Sequence, residues 1–406
     1  MLEVVALIIY VLQIGGFHIF CVTQRRRNSN YYLVLVFLTF QSVYVITPAI
    51  DDIFNLINYD YVAEYIVFTI YCNTLLISGA MFAGFWVKIP NAANADFLLS
   101  SKIKYFLYLM SILGFIMINY SMYMQLTDLS ALLAGYLDEH SSPKKWEKLR
   151  LYGVAIFSTA IYLSWMSSKS AFIRMILLIF IVEVALLLLV RGYRTPLLLI
   201  VLPFLLNSKD SYRSYCIRLP IIAVLTVLLG QAIDIIRAAG LGKWQTVNFI
   251  QPASAGEFGQ AFRSFQIFWD VKTDLLLGET IFIGPVRNII STFGFQYEPI
   301  STTFAKIASA NGPLFGFGFT PQLEAIWNFG LFGVLYFFCI GCALKIIETI
   351  LITRGNYSVI LIAMTPMFMI FQRIDLSVFI KMNAVGIILM IAFILGVNKK
   401  MKREHK

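Results

Sequence analysis

The sequence predicts an all-α, polytopic membrane protein that forms a single integral membrane domain over residues 1–406. Hydrophobic residues make up 59% of the chain and charged residues only 13%, and the mean hydropathy is +0.78. Water-soluble domains lie far from these values. Apolar runs close to the ~20 residues that cross a bilayer recur from end to end. They are predicted to be helical because lipid cannot satisfy free backbone groups.

These runs predict about eleven crossings and one large, partly helical outer loop. The predicted spans are 4–23, 31–50, 65–87, 105–124, 152–166, 171–190, 195–206, 217–236, 325–343, 357–371 and 376–397. The seventh span is short for a hydrocarbon core of ~30 Å and carries Pro196 and Pro203. A re-entrant segment is therefore the alternative there.

The distribution of Lys and Arg indicates how the chain is oriented. With the N-terminus outside, residues 51–64 lie outside without a Lys or Arg, and the basic tail 399–406 lies in the cytoplasm. If 195–206 did not cross, this tail would face outward, so we treat the segment as a crossing. The net charge of +10 is then explained by cytoplasmic loops that meet anionic lipid head groups. No nucleic-acid partner is expected.

Two outer segments are long, 125–151 and the much larger 237–324. One dominant loop argues against the matched halves of a repeat-built transporter. Glycine and proline divide the large loop into turns, which predicts an ordered cap. The loop also carries large apolar side chains at helical spacing, which predicts an amphipathic helix that either serves a substrate channel or packs onto the bundle. These residues are Phe258, Phe262, Phe265, Phe268 and Trp269.

Arginines in two very short outer turns are candidate anion ligands. Arg191 and Arg194 lie in the turn 191–196, on the side that topology disfavours for positive charge. Guanidinium groups form bidentate, charge-assisted bonds with phosphate oxygens, so a diphosphate at the membrane surface is a natural ligand. The alternative is that both arginines reach lipid head groups. Arg373 and Asp375 lie in the other turn, where they either pair or face the same cavity.

Carboxylates in and around the large loop are candidate bases. Glu298 and Glu324 are each either a general base for a sugar hydroxyl or a solvated loop carboxylate. Glu183, Asp234 and Lys381 lie within spans, and we expect them to face the protein interior in structural roles. No metal-ligand cluster and no phosphate-binding loop is found in the sequence, so neither a metal nor a cofactor is expected.

Two stretches of the large loop resemble a known family. The run Gly316-Phe317-Gly318-Phe319-Thr320-Pro321 with Glu324, Asn328-Phe329-Gly330 and Gly333 is similar to the end of the large periplasmic loop in bacterial oligosaccharide repeat-unit polymerases, the Wzy-type O-antigen polymerases. Gly284-Pro285-Val286-Arg287 followed by Glu298-Pro299 resembles an earlier stretch, although Glu298 stands where the family has a lysine. The turn 191–196 looks like the family's arginine-bearing outer turn.

The resemblance implies a glycosyltransferase of lipopolysaccharide biosynthesis in the bacterial inner membrane, with a periplasmic N-terminus and a cytoplasmic C-terminus. Such an enzyme joins undecaprenyl-diphosphate-linked oligosaccharide units into polysaccharide at the periplasmic face, with a chain-length regulator as a partner. The arginines would hold the diphosphate, and Glu298, Glu324 or Asp375 would act as base or orient the acceptor. The diphosphate ligands would be Arg191, Arg194, Arg287 and Arg373.

Three other functions compete with this interpretation. An O-antigen ligase shares the architecture and the donor but carries a histidine in its large outer loop, and residues 237–324 contain none. A lipid-linked oligosaccharide flippase would show pseudo-symmetric halves and a charged central cavity. A non-catalytic membrane partner in envelope assembly is the third.

Overall fold

The computed structural model describes the chain in segments. These are residues 2–23, 31–57, 59–87, 100–125, 144–190, 194–206, 212–240, 257–271, 274–291, 297–310, 319–353, 357–372 and 374–404. The helices are α1 (Leu2–Thr23), α2 (Tyr32–Ile53), α3 (Val62–Trp86), α4 (Ser101–Gln125), α5 (Lys144–Ser167), α6 (Ala171–Val190), α7 (Arg194–Leu205), α8 (Tyr212–Gly240), α9 (Glu257–Val271), α10 (Gly284–Ile290), α11 (Ile300–Ala310), α12 (Pro321–Phe329), α13 (Val334–Thr353), α14 (Tyr357–Phe371) and α15 (Leu376–Glu404). A π-helical turn, Glu279–Ile283, precedes α10, and a 3₁₀ turn, Gly330–Gly333, separates α12 from α13.

These segments consist of helices joined by turns and short irregular stretches, with no strand among the described residues, which confirms the all-α prediction for them. Nine helical stretches among the described residues are long and apolar enough to cross a membrane. Two shorter apolar helices, Pro196–Leu205 and Val359–Phe371, lie at the seventh and tenth predicted spans. The protein is therefore a multi-pass membrane protein. With its 12 residues, α7 reaches only about 18 Å at ~1.5 Å per residue.

The ninth predicted span, 325–343, is not one continuous helix. Gly330 ends α12 with φ of +58°, a left-handed backbone conformation that glycine adopts readily. A Cβ atom added at Gly333 would overlap the carbonyl of Ala325, so the two backbones approach too closely for any side chain there. The break ends α12, in which Pro321 to Asn328 are all buried.

Close backbone contact between α3 and α13 depends on two glycines. A Cβ atom at Gly79 would overlap the carbonyl of Phe338, and one at Gly341 would overlap the carbonyl of Leu76. Small residues at such positions let membrane helices approach within van der Waals contact of their backbones, which is how helices associate where lipid is as apolar as the side chains.

Phe262, Phe265 and Phe268 of the apolar stripe are buried on one side of α9, Trp269 is exposed, and the side chain of Phe258 lies outside the described residues. Phe262 and Phe265 are buried, and their rings lie 5.0–5.1 Å from those of Tyr59 and Tyr65 at the start of α3. The Gln266 side chain donates to the backbone carbonyl of Asp60 at 2.9 Å on the same side. Of the two interpretations of this stripe, packing is the one that the structure shows.

Glu183 does not face the protein interior, so that prediction is wrong. Its side chain is exposed on α6, next to the exposed Val182. The sequence shows that Glu183 lies within a span, but the packing of neighbouring helices determines which side of α6 is buried. Lys381 does face other residues, as described below, and the side chain of Asp234 lies outside the described residues.

A buried carboxylate lies where α2 begins, at the end of α2 that does not contact α9. Glu348 of α13 accepts the backbone N–H groups of Tyr32 and Leu33 at 3.0 and 3.2 Å, where α2 begins. A carboxylate at this position satisfies helix N–H groups that have no partner within the helix, and it complements the helix dipole. The ammonium group of Lys345 lies 4.3 Å from the ring centre of Tyr31 beside it.

Candidate functional site

Glu324 lies in the first turn of α12 with its side chain fully buried. The helix begins here because the Thr320 side chain accepts the backbone N–H of Leu323 at 3.1 Å. One carboxyl oxygen of Glu324 accepts the Thr280 hydroxyl at 3.1 Å, and the other accepts the backbone N–H of Leu376 at 2.9 Å. Glu324 therefore connects α12 to the π-helical turn and to the start of α15.

Asp375 is also fully buried and immediately precedes α15. One of its carboxyl oxygens accepts the backbone N–H of Val378 at 2.9 Å and the Ser377 hydroxyl, and the other accepts the N–H of Ser301 at 3.4 Å. The bond to Val378 is that of a helix N-cap. Two carboxyl groups from distant parts of the sequence thus meet at the first turn of α15, where the helix dipole favours negative charge.

A chain of hydrogen bonds connects the Asp375 carboxyl group to Lys381. The Lys381 amino group donates to the Asn288 side-chain oxygen at 3.2 Å and to the Ser291 hydroxyl at 3.0 Å. The Asn288 amide nitrogen donates to the Ser377 hydroxyl at 3.3 Å, and Ser377 donates to Asp375. A basic group and an acidic group are therefore linked through neutral side chains, an arrangement that fixes the orientation of the Asp375 carboxyl group.

Asn328 holds the π-helical turn against α12. Its amide nitrogen donates to the Thr280 hydroxyl and to the backbone carbonyl of Glu324, both at 2.7 Å. In return, the backbone N–H of Thr280 donates to the Asn328 oxygen at 3.4 Å. All three side chains are buried, so the position of the Glu324 carboxyl group is fixed from two sides.

Tyr297 closes the site next to Gly284. A Cβ atom at Gly284 would lie 2.8 Å from the Tyr297 hydroxyl oxygen, so a larger residue would push the ring out. Burial raises the pKa of Tyr297, the hydrogen bond with Ser377 opposes this rise, and the nearby carboxyl groups, with Asp375 first, add to it. The phenol stays protonated at neutral pH and is able to donate a hydrogen bond.

Glu298 and Arg287, the two remaining candidate site residues of the large loop, each form an exposed ion pair. The Glu298 carboxylate binds the Lys306 ammonium group at 2.6 Å, and Arg287 binds Glu279 at 2.6 Å. Each of these side chains is between 41% and 68% exposed. The structure thus brings Glu324 and Asp375 together in one buried site and places Glu298 in a solvent-accessible pair.

The side chains of the arginines in the two short turns all lie outside the described residues. Arg191 and Arg373 lie outside the described residues. Arg194 is the first residue of α7, and its side chain lies outside them as well. Their role as diphosphate ligands stays a prediction.

A cavity of about 190 Å³ lies between α5, α7, α14 and α15. Most of its lining is apolar, and Ser158, Thr159 and Asn383 add polar atoms. Pro196 and Ile374 also line it. These two residues belong to, or directly follow, the arginine-bearing turns, so the cavity lies beside both turns.

Three residues of the site were not found from the sequence: Thr280, Asn288 and Ser377. Thr280, Gly284 and Asn288 are spaced four residues apart and are all buried on one side of the same segment. That spacing of small and polar residues within an otherwise apolar stretch is the signal that could have revealed two of them. Ser377 stood beside Asp375 in the sequence, but its contacts depend on α10.

Across the described ranges, no three His, Cys, Asp or Glu side chains are close enough together to hold a metal ion. No protein-family model, curated protein or solved structure matches the chain.

Proposed function

We propose that this protein is an O-antigen polymerase, a glycosyltransferase that joins undecaprenyl-diphosphate-linked oligosaccharide units. The observation that carries the proposal is the meeting of Glu324 and Asp375 at the first turn of α15, where hydrogen bonds link Asp375 to Lys381. The resemblance of the stretches 284–299 and 316–333 to polymerase loops supports the same conclusion, because Glu324 lies within the second of those stretches and Asn288 within the first.

In the proposed reaction, a hydroxyl oxygen of the acceptor sugar attacks the anomeric carbon of the donor glycan. The bond between that carbon and the phosphate oxygen breaks, and undecaprenyl diphosphate leaves with the bonding electrons. The hydroxyl proton passes to Glu324, which acts as the general base. Because Glu324 is covered by the π-helical turn and α10, the acceptor reaches it when this segment shifts.

The remaining groups have supporting roles in this proposal. Asp375 orients the first turn of α15, and Lys381 supplies a positive charge that reaches Asp375 through Asn288 and Ser377. Arg191, Arg194 and Arg373 bind the departing diphosphate. They stabilise the negative charge that develops on it in the transition state. The apolar cavity beside these turns takes part of the prenyl chain.

The proposal includes an orientation and a compartment. The protein would lie in the bacterial inner membrane with α9 to α12 on the periplasmic side, the N-terminus in the periplasm and the C-terminus in the cytoplasm, as the Lys and Arg distribution predicts. A polysaccharide chain-length regulator would be a partner.

Deletion of the gene followed by gel display of the lipopolysaccharide tests the proposal. A polymerase defect leaves core that bears a single repeat unit, whereas a ligase or flippase defect leaves core with none. A ladder of normal length in the deletion strain would contradict all three functions.

Complementation then tests the site. We expect the wild-type gene and Glu298→Gln to restore the ladder, because Glu298 lies in an exposed ion pair. Glu324→Gln makes the same isosteric change at the buried carboxyl group and is expected to leave the single-unit band. Equal ladders from both variants, at equal protein abundance, would remove Glu324 as the base.

A further inference from the structure

Residues 274–291, which include the π-helical turn and α10, have two contrasting sides. The side that faces the protein consists mostly of small or polar residues: Gly278, Thr280, Gly284, Pro285 and Asn288. The side that faces outward consists mostly of large apolar residues: Leu277, Phe282, Ile283, Val286, Ile289 and Ile290. A surface helix in water has the opposite arrangement, with its apolar side against the protein.

The apolar outer side is extensive. Leu277 is 80% exposed and Phe282 is 71% exposed. Soluble proteins rarely leave a contiguous surface of this kind in water, and where they do it marks a contact with a membrane or another protein. Of the exposed charges in this segment, Glu279 and Arg287 bind each other at 2.6 Å, and Asp274 lies at its first residue.

This apolar surface continues onto a membrane-spanning helix. The ring of Phe282 lies 6.2 Å from that of Phe329, and Leu275 lies beside Gly330, at the end of α12. Leu331, Phe332 and Leu335 follow directly, and all three are exposed at the beginning of α13. Further along α13, Ile346 and Ile350 are exposed as well, where a spanning helix meets lipid.

We propose that residues 274–291 lie within one leaflet of the bilayer, with Leu277, Phe282 and Val286 in contact with lipid acyl chains. Continuity with the exposed side of α13 identifies lipid as the occupant of this surface. The ion pair of Glu279 and Arg287 lies near the head groups, where the long arginine side chain reaches polar surroundings. The segment belongs to the membrane domain and is not part of a water-exposed cap.

In this placement, residues 274–291 also separate the buried carboxyl groups from lipid. The inner side of this segment supplies Thr280 to Glu324 and Asn288 to Ser377, so a single layer of backbone separates the buried carboxyl groups from lipid. A ligand that carries a lipid chain would therefore approach the carboxyl groups from the side, out of the leaflet. The lipid contact itself does not rest on the proposed function.

Tryptophan fluorescence in liposomes tests the placement. Phe282→Trp and Val286→Trp each add one indole at an exposed position, and their emission is compared with that of the wild-type protein in the same liposomes. Lys306→Trp is the matched control, because Lys306 is an exposed residue of α11 in the same loop. Each protein is measured with phosphatidylcholine that carries brominated acyl chains and, separately, with aqueous iodide.

We expect the added emission of Phe282→Trp and Val286→Trp to be shifted to the blue, largely lost in brominated lipid and unaffected by iodide. The added emission of Lys306→Trp should show the reverse. If iodide quenches the two test variants and brominated lipid does not, the segment lies in water and the proposal is wrong. If neither quencher affects them, protein covers the surface, and lipid is excluded as its occupant.

Discussion

Replacement of Glu324 separates its structural contribution from its proposed role as a base. Its two carboxyl oxygens accept two buried donors, the Thr280 hydroxyl and the Leu376 N–H. Glu324→Ala leaves both donors without a partner, and a buried unsatisfied donor costs about 1–3 kcal/mol. We therefore expect the free energy of unfolding to fall by roughly 2–6 kcal/mol in this variant.

Glu324→Gln is expected to have a much smaller effect on stability. The amide oxygen still accepts the Leu376 N–H, and the amide nitrogen faces the Thr280 hydroxyl, which is able to accept as well as donate. The expected loss is about 1 kcal/mol or less, the net value of one ordinary hydrogen bond. Glycan polymerisation is nevertheless expected to stop, because an amide cannot take up the proton.

The assay combines thermal unfolding of the purified protein in detergent with the lipopolysaccharide ladder of complemented cells. If Glu324→Ala unfolds at the wild-type temperature, the two donors do not depend on Glu324 as described. A normal ladder from Glu324→Gln would show that the carboxyl group is not the base.

Three further outcomes are expected, each measured as a change in the free energy of unfolding. Asp375→Ala removes the N-cap of α15 and also leaves the Ser377 hydroxyl and the Ser301 N–H without their acceptor, so it should cost more than the about 0.5–2 kcal/mol of a cap alone, whereas Asp375→Asn keeps an oxygen for the Val378 N–H and should cost less; equal losses in both would contradict the capping role. Gly341→Val forces a side chain into the backbone of α3 and should cost at least the ~1–3 kcal/mol of overpacking, while Gly15→Ala, at a position with open space, should be close to wild type. Removal of the exposed partner of Glu298 by Lys306→Ala should change stability by only about 0–1 kcal/mol, and a larger loss would mean that this pair is not a surface pair.

The membrane helices could be predicted from the sequence because hydropathy over some twenty residues is a local property. The break in the ninth span could not, since it depends on the positive φ of Gly330 and on the approach of Gly333 to Ala325. The exposure of Glu183 could not be predicted either. The sequence places this charge in a helix, but the tertiary packing determines whether the side chain is buried.

The candidate site was predicted as single residues and not as an arrangement. Glu324 and Asp375 stood out as carboxylates near the ends of apolar runs, but nothing in their sequence neighbourhoods shows that both contact the first turn of α15. The partners Thr280 and Asn288 lie in a stretch that is read from sequence as part of a polar outer loop. Its reversed polarity became visible only when the buried side of the segment was known.

The bond between the Leu376 amide and Glu324 has a consequence for biogenesis. During synthesis α12 leaves the ribosome well before α15. Glu324 therefore lacks one of its two hydrogen-bond donors until α15 is in place. A chain truncated before Leu376 would hold every earlier helix and still have an unfinished pocket, with a carboxyl group in apolar surroundings lacking one of its donors. Completion of this corner therefore requires a segment that is synthesised 52 residues after Glu324.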